Sequence, residues 1–388
     1  MIPYGKQSIN DSDVESVLDV LKSNFLTQGP QVPKFEEELS GQLGVRFAVA
    51  MNSATSALHS ACLALDVGPG DIVWTSAISF VASANCAVYC GAEVNFVDVN
   101  PTTGNMSIQD LEDRLLKARK DGKLPKVVIP VHFAGQPVDV EAISKLGVIF
   151  GFKIIEDASH ALGSSYSGSI VGSCEFSDVT VFSFHPVKMI TTGEGGVATT
   201  NCQKIQSRLQ RIRSHGITRA PDEIDVAYEG SWFYDQIELG FNYRMTDLQA
   251  ALGRSQLKRL NVFVDKRAKL ASKYDAGLGN LAIVPLDRDV NAQSSWHLYV
   301  ILVENAKMRK PIFDKLTQDG ILANIHYRPI YRQSYYARSG KYDPSDFPNA
   351  EAYYASAISL PLFPSLTDTQ LGEVIQSLAS PPGHQTIF

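Results

Sequence analysis

Seven short apolar runs, spaced by segments with helical periodicity, constrain this 388-residue chain more than any other feature. They are FAVAM (47–51), IVWTS (72–76), AEVNFVDV (92–99), KVVIPVHF (126–133), KIIED (153–157), DVTVFSF (178–184) and GGVATT (195–200). Each is nearly continuous in apolar residues instead of alternating with polar ones. A strand of that composition needs cover on both faces, as the strands of a parallel sheet have. The intervening segments, such as SIQDLEDRLLKARK and DVEAISKLGVIFG, carry the helical patterns that supply such cover. The expectation is an α/β fold: a large, mostly parallel sheet covered by helices, spanning residues 45–250. A glycine-punctuated hairpin is expected between the fifth and sixth runs.

The flanks differ from this rhythm. Residues 1–44 read as an N-terminal helical segment. Its first helix would turn Val14, Val17, Leu18 and Leu21 inward; its second would turn Phe35, Leu39 and Leu43 inward and end at Gly44. Beyond Met245 the spacing predicts a long, kinked helix with Thr246 as its N-cap. Residues 251–388 then form this linking helix and a smaller C-terminal α+β domain. A capping box of Thr367 with Gln370 opens the last helix, and the tail PPGHQTIF is expected to fray.

Composition narrows the partners. Hydrophobic residues make up 44% of the chain and charged ones 20%, enough for a large core. A net charge of −6 supplies no basic field for nucleic acid. No apolar run approaches the ~18 residues of a membrane span, and MIPYGKQSINDSD lacks the apolar centre of a signal peptide. A cytoplasmic protein is expected, with neither nucleic acid nor membrane as partner. Cys62, Cys86, Cys90, Cys174 and Cys202 are scattered, without CxxC or cysteine–histidine zinc spacing, so they are expected to be reduced thiols, mostly in the core. His132, His160 and His185 also lack ligand spacing, and no metal is expected.

In an open parallel sheet, ligands bind beyond the carboxyl ends of the strands. Three such ends carry polar residues. After FAVAM, Asn52-Ser53-Ala54-Thr55 opens a helix, either as a phosphate cradle or with Ser53 or Thr55 as an ordinary cap. After KIIE, Asp157 ends a buried strand, where a carboxylate needs a partner; it suits a cation, a protonated ring nitrogen or a cap for the next segment. After DVTVF come Ser183, His185 and Lys188, then Gly193, Gly195 and Gly196. Alone, Lys188 would be a solvated loop lysine. The glycines suggest instead that the backbone approaches something closely. Cradle, aspartate and lysine together match the phosphate, ring nitrogen and imine carbon of pyridoxal phosphate.

The motifs SFHPVK, TTGEGGVATT, IIEDASHALG and GFNYRMTDLQAALG resemble those of the DegT/StrS-type pyridoxal phosphate sugar aminotransferases of fold type I. The resemblance spans nearly the whole chain, including IPYGKQSI and NFLTQGP. SFHPVKMITTGEGG is most similar to the C4 aminotransferases of the pseudaminic acid pathway, which use L-glutamate and a UDP-linked 4-keto-6-deoxy-N-acetyl-hexosamine. Relatives that aminate a UDP-4-keto-pentose share much of it. Some members carry histidine in place of the lysine and act as dehydratases; the lysine here favours aminotransfer. A binding protein without turnover is the reading that Lys188 and Asp157 together argue against.

The resemblance implies roles residue by residue. Lys188 carries the cofactor as an imine and acts as the catalytic base. Asp157 pairs with the ring nitrogen. Ala54, Thr55 and Ser183 hold the phosphate, Phe80 stacks on the ring, and His160 lies near the phenolic oxygen. Asn242, in GFNYRM, reaches the other subunit's phosphate, which implies a homodimer with a shared site. Substrate contacts are expected from Tyr4, from Asn24, Phe25, Leu26 and Thr27, and from His326, Tyr327 and Arg328 in NIHYRPI. Arg328 has the forked geometry for a diphosphate or a carboxylate.

Overall fold

The computed structural model describes residues 1–226, 229–279 and 281–380. All seven apolar runs are strands of one sheet: β1 (Phe47–Met51), β2 (Ile72–Ser76), β3 (Glu93–Val97), β4 (Val127–Ile129), β5 (Lys153–Asp157), β6 (Val179–Ser183) and β7 (Gly196–Thr200). Their order is β1-β7-β6-β5-β4-β2-β3. β2 to β6 pair in parallel, while β7 runs antiparallel to both β1 and β6. β4 is shorter than its apolar run because Pro130 has no N–H to continue the ladder. The hairpin before β6 is present as Ser165–Tyr166 against Ser169–Ile170.

The continuous apolar runs are explained by cover on both faces. Adjacent strand residues enter different cores, as the alternating pleat requires. Val49, Val73 and Ile129 pack with the helices Ala54–Ala64 and Ala82–Tyr89, whereas Trp74 and Val128 pack with Leu111 and Ile143 of Ile108–Asp121 and Val140–Phe150. Ala50 and Phe182 join a third cluster with Phe35, Leu39 and Leu257.

The C-terminal part builds its own core on a three-stranded antiparallel sheet: β8 (Ile283–Pro285), β9 (Tyr299–Val303) and β10 (Ala357–Leu360). Ile2–Pro3 pairs with Ile321–Leu322, so the first residues of the chain pack with this C-terminal core. Thr246 caps Asp247–Leu257 with a full capping box, as Thr367 does for Asp368–Ala379. The predicted kinked helix is two helices, Asp247–Leu257 and Leu260–Leu278, broken at Lys258–Arg259.

The first helix, Asp11–Leu21, departs from expectation. Val14, Leu18 and Leu21 are exposed, and Asp13 and Val20 face inward instead. Asp13 tolerates burial because it accepts from Gln256 Nε2 at 2.6 Å and pairs with Arg259. The second helix, Gln31–Leu43, buries Phe35, Leu39 and Leu43 as expected. All five cysteines are free; Cys62, Cys86 and Cys174 are buried, and Cys202 is exposed. Among the described residues no helix is long and apolar enough to cross a membrane. The tail from Pro381 lies outside the described residues.

Candidate active site

Strand order brings the polar strand ends together. Along the sheet lie, in turn, the helix start after β1, Ser183 and Lys188 after β6, Asp157 at the end of β5, and Phe133–Gly135 after β4. Ser53, not Thr55, is the cap: its Oγ accepts from Ser56 N at 3.1 Å. The N–H groups of Ala54 and Thr55 make no hydrogen bond among the described residues and are free for an anion. β7 passes directly beneath this start, pairing Gly196 with both Met51 and Ser183. A Cβ at Gly196 would collide with the Ala54 nitrogen. The glycine run therefore lets the strand beside the lysine approach the helix start.

Lys188 sits in a tight turn, its N–H donating to His185 O at 2.9 Å. Its half-buried side chain makes no hydrogen bond or ion pair among the described residues. Burial pulls its pKa down to about 8, against the Asp157 carboxylate, which holds it up. Asp157 is buried and fixed by three donors: Ser159 N at 3.1 Å and Ser159 Oγ at 2.6 Å on Oδ1, and Ser83 Oγ at 2.6 Å on Oδ2. Ser83 is in turn 2.7 Å from Ser79 Oγ. These serines were not singled out from the sequence. Ser159 had a local signal, an aspartate two residues before it, which favours an Asx-type turn; Ser83 had none.

A cluster of rings encloses the other side. His160 Nε2 lies 3.1 Å from Tyr327 Oη, and the Phe80 ring lies 6.2 Å from that of Tyr327. Phe80 is exposed, a large apolar ring left on the open side. His297, absent from the sequence-based candidates, packs its ring 4.4 Å from His160. Burial, then the nearby Lys188 charge and His326, hold His160 well below the ordinary histidine range; burial, then His160 and Lys188, do the same for His297. His326 falls to about 3, mainly from burial. All three are neutral at pH 7.

His326 faces inward. Its Nδ1 meets Ser359 Oγ at 2.8 Å and its Nε2 meets Asn324 at 3.4 Å, while Tyr4 packs on its ring at 5.3 Å. Arg328, two residues further on, is exposed and without a side-chain partner among the described residues. Asn242 lies beside the start of the cradle, its backbone oxygen accepting from Asn52 Nδ2 at 3.4 Å. Asn24 to Thr27 are exposed, and Thr27 forms an antiparallel bridge with Thr246. Leu26 O accepts from Asp247 N at 3.0 Å, and Gln249 Nε2 in the same helix donates to Glu194 O of the glycine loop at 2.8 Å. His185 is exposed; its backbone N–H meets Ser183 Oγ at 3.4 Å and its carbonyl accepts from Lys188 N, while its ring makes no hydrogen bond among the described residues.

A partnerless, low-pKa lysine beside a clamped aspartate, one strand from free helix N–H groups, fits a cofactor with a carbonyl carbon, a basic ring nitrogen and a phosphate. Comparison with known proteins agrees. Residues 7–379 match the model of the DegT/DnrJ/EryC1/StrS aminotransferase family. The chain belongs to that family. It is 39% identical over 364 residues to the UDP-4-amino-4,6-dideoxy-N-acetyl-beta-L-altrosamine transaminase of Campylobacter jejuni, covering 93% of this chain and 92% of that one. Among solved structures, Helicobacter pylori PseC, an aminotransferase involved in pseudoaminic acid biosynthesis, is similar with a TM-score of 0.89 and 33% identity, covering 97% and 98% of the two chains. The Streptococcus pneumoniae Spr1654 structure in its PLP form has a TM-score of 0.87 and 31% identity, covering 97% of each chain. This DegT-family protein is thus a PLP-dependent sugar aminotransferase with the α/β fold expected of it.

Proposed function

We propose that this aminotransferase moves the amino group of L-glutamate to C4 of a UDP-linked 4-keto-6-deoxy-N-acetyl-hexosamine, as in pseudaminic acid biosynthesis. The observation that carries the reading is Lys188, partnerless and partly neutral near pH 8, beside the fixed Asp157 carboxylate. The printed activities of the C. jejuni and H. pylori relatives support the sugar class.

Bound PLP supplies an electron sink for the carbon that loses a proton. Lys188 would take that proton from the donor's Cα and deliver it to the cofactor's C4′ carbon. Asp157 keeps a proton on the ring nitrogen, its direction set by Ser83 and Ser159. The Ala54 and Thr55 N–H groups and the Ser183 hydroxyl hold the phosphate, and Phe80 covers the ring face. Arg328, free and forked, takes the diphosphate or the donor carboxylate. Tyr4, His326 and the Asn24–Thr27 segment contribute to the sugar-nucleotide side. Both half-reactions use one site, so kinetics are ping-pong.

The working form is a homodimer in which Asn242 completes the other subunit's phosphate site; the exposed Trp232 and Leu239 near that segment support an apolar contact there. The enzyme acts in the cytoplasm, where its free thiols stay reduced. The test is to give the PLP-loaded enzyme L-glutamate with the hexosamine ketone or with a UDP-4-keto-pentose. Release of 2-oxoglutarate with the aminated hexosamine in the mass spectrum is expected. Amination of the pentose alone, or no 2-oxoglutarate, would overturn the assignment.

A further inference from the structure

Asp247 is a fully buried carboxylate without a cationic partner among the described residues. Two features offset the cost of burying it. It stands in the first turn of Asp247–Leu257, where the helix dipole favours a negative charge. Its oxygens also accept two backbone N–H groups from one distant loop: Gly29 on Oδ1 at 3.1 Å and Gln31 on Oδ2 at 3.2 Å. Its own N–H donates to Leu26 O at 3.0 Å, and Thr246 before it bridges to Thr27. Leu26, Thr27, Gly29 and Gln31 are thus all held by two consecutive residues.

The loop is shaped tightly around this latch. Gln28 adopts a left-handed φ of 54°, unfavourable for a residue with a Cβ. Gly29 follows, where a Cβ would run into Asp247 Oδ2 and Phe25 Cβ. The side chains tell the opposite story. Asn24, Thr27 and Gln28 are exposed, and their side chains make no hydrogen bond among the described residues. A loop that only joined the helices Asp11–Leu21 and Gln31–Leu43 would need no strained backbone fixed by a buried charge. A fixed backbone with free polar side chains is the build of a binding loop on a rigid support.

The same helix turn faces the lysine side as well. Gln249 Oε1 accepts from Thr246 N at 2.9 Å, and its Nε2 donates to Glu194 O of the glycine loop at 2.8 Å. One turn therefore carries the Asn24–Gln31 loop and touches the chain that leaves Lys188. We propose that Asp247 is a positioning residue for the substrate: it latches the Asn24–Thr27 loop in the shape that receives the sugar nucleotide. It sets affinity for the UDP-linked sugar, and not the rate of proton transfer at Lys188. This rests on the sugar-nucleotide role given to that loop above.

The experiment is calorimetry of UDP-N-acetylglucosamine, a UDP-linked N-acetyl-hexosamine without a ketone, binding to the PLP-loaded full-length protein. Wild type is compared with Asp247→Asn, Gly29→Ala and the double variant. Asp247→Asn turns one acceptor into an NH2 group that faces a backbone N–H; Gly29→Ala pushes the loop off the same carboxylate from the other side. Each is expected to weaken binding about 10-fold, because the loop must then be ordered by the ligand. The double variant should be no weaker than the weaker single one. The rate at which L-glutamate discharges the visible band should stay within about twofold of wild type. Wild-type affinity in either folded variant overturns the proposal, as do additive losses, or equal losses of affinity and discharge rate, which a merely structural role would give. Gly29→Ala decides the matter even if Asp247→Asn does not fold. A wild-type protein that does not bind UDP-N-acetylglucosamine refutes instead the parent reading of a UDP-sugar substrate, and this proposal with it.

Discussion

Glu156 and Asp157 are consecutive on β5 and each is 4% exposed, but the pleat sends them to opposite faces and into different chemistry. Glu156 meets only protein. It accepts from His132 Nε2 at 2.7 Å, from Thr180 Oγ1 at 2.9 Å and from Ser177 Oγ. Burial pushes its carboxyl up, and His132 with the two hydroxyls outweighs that and holds it below the ordinary value. His132 is wired like His160: Nδ1 accepts a backbone N–H, from Val138 at 3.1 Å, and Nε2 donates. There the chain of donors ends in a carboxylate and closes. On the Asp157 side it ends in the Tyr327 hydroxyl, and Lys188 beside it has no side-chain partner among the described residues. Burial alone does not mark a reactive carboxylate; the unmatched donors around it do.

The sharpest way to break this contrast is a pair of isosteric changes. Asp157→Asn should lower kcat/KM by roughly 10²–10³-fold with little change in unfolding midpoint, since it removes charge from the site. Glu156→Gln should retain the cofactor spectrum but destabilise the fold by about 2 kcal/mol, because it weakens the buried hydrogen bonds that a charged carboxylate accepts. Steady-state kinetics with denaturant unfolding checks both; equal losses of activity and stability in the two variants would erase the distinction.

The next effect concerns Lys188. The rate of PLP uptake by the cofactor-free protein should rise with pH to a midpoint near 8, since burial lowers the lysine to about 8. A midpoint near the ordinary lysine value, about 10.4, would mean that the lysine is solvated.

A smaller effect per group comes from His160, His297 and His326. Their folded pKa values are depressed, so below the unfolded value of about 6.5 only the unfolded chain takes up their protons. Stability should be full above that pH and fall below it by about 1.4 kcal/mol per pH unit for each histidine. For His326 the loss continues towards pH 3. Urea titrations at pH 7 and pH 5 measure this; equal stability at both would contradict the burial of the three rings.

Much of this was legible in the sequence because it is carried by local pattern. Continuous apolar runs required two-sided cover, and Lys188, Asp157 and the helix start after β1 lie at strand ends that any parallel sheet would align. The caps at Thr246 and Thr367 are short-range as well. What was not legible depends on distant pairing. His160 meets Tyr327 across 167 residues, and Ser83 reaches Asp157 across 74. The inward face of the first helix was misjudged because periodicity counts Val14, Leu18 and Leu21 and cannot see Arg259 and Gln256 waiting for Asp13. Ala134 is a left-handed residue without the glycine or asparagine that usually signals one.

The central claim, that the cofactor is held on Lys188, has a direct measurement. The PLP-loaded protein is reduced with borohydride, digested and mapped by mass spectrometry. The reduced cofactor is predicted on the peptide containing Lys188 and nowhere else, with none retained in Lys188→Ala. The cofactor on another lysine, or an unmodified Lys188 peptide from fully loaded protein, would contradict the account.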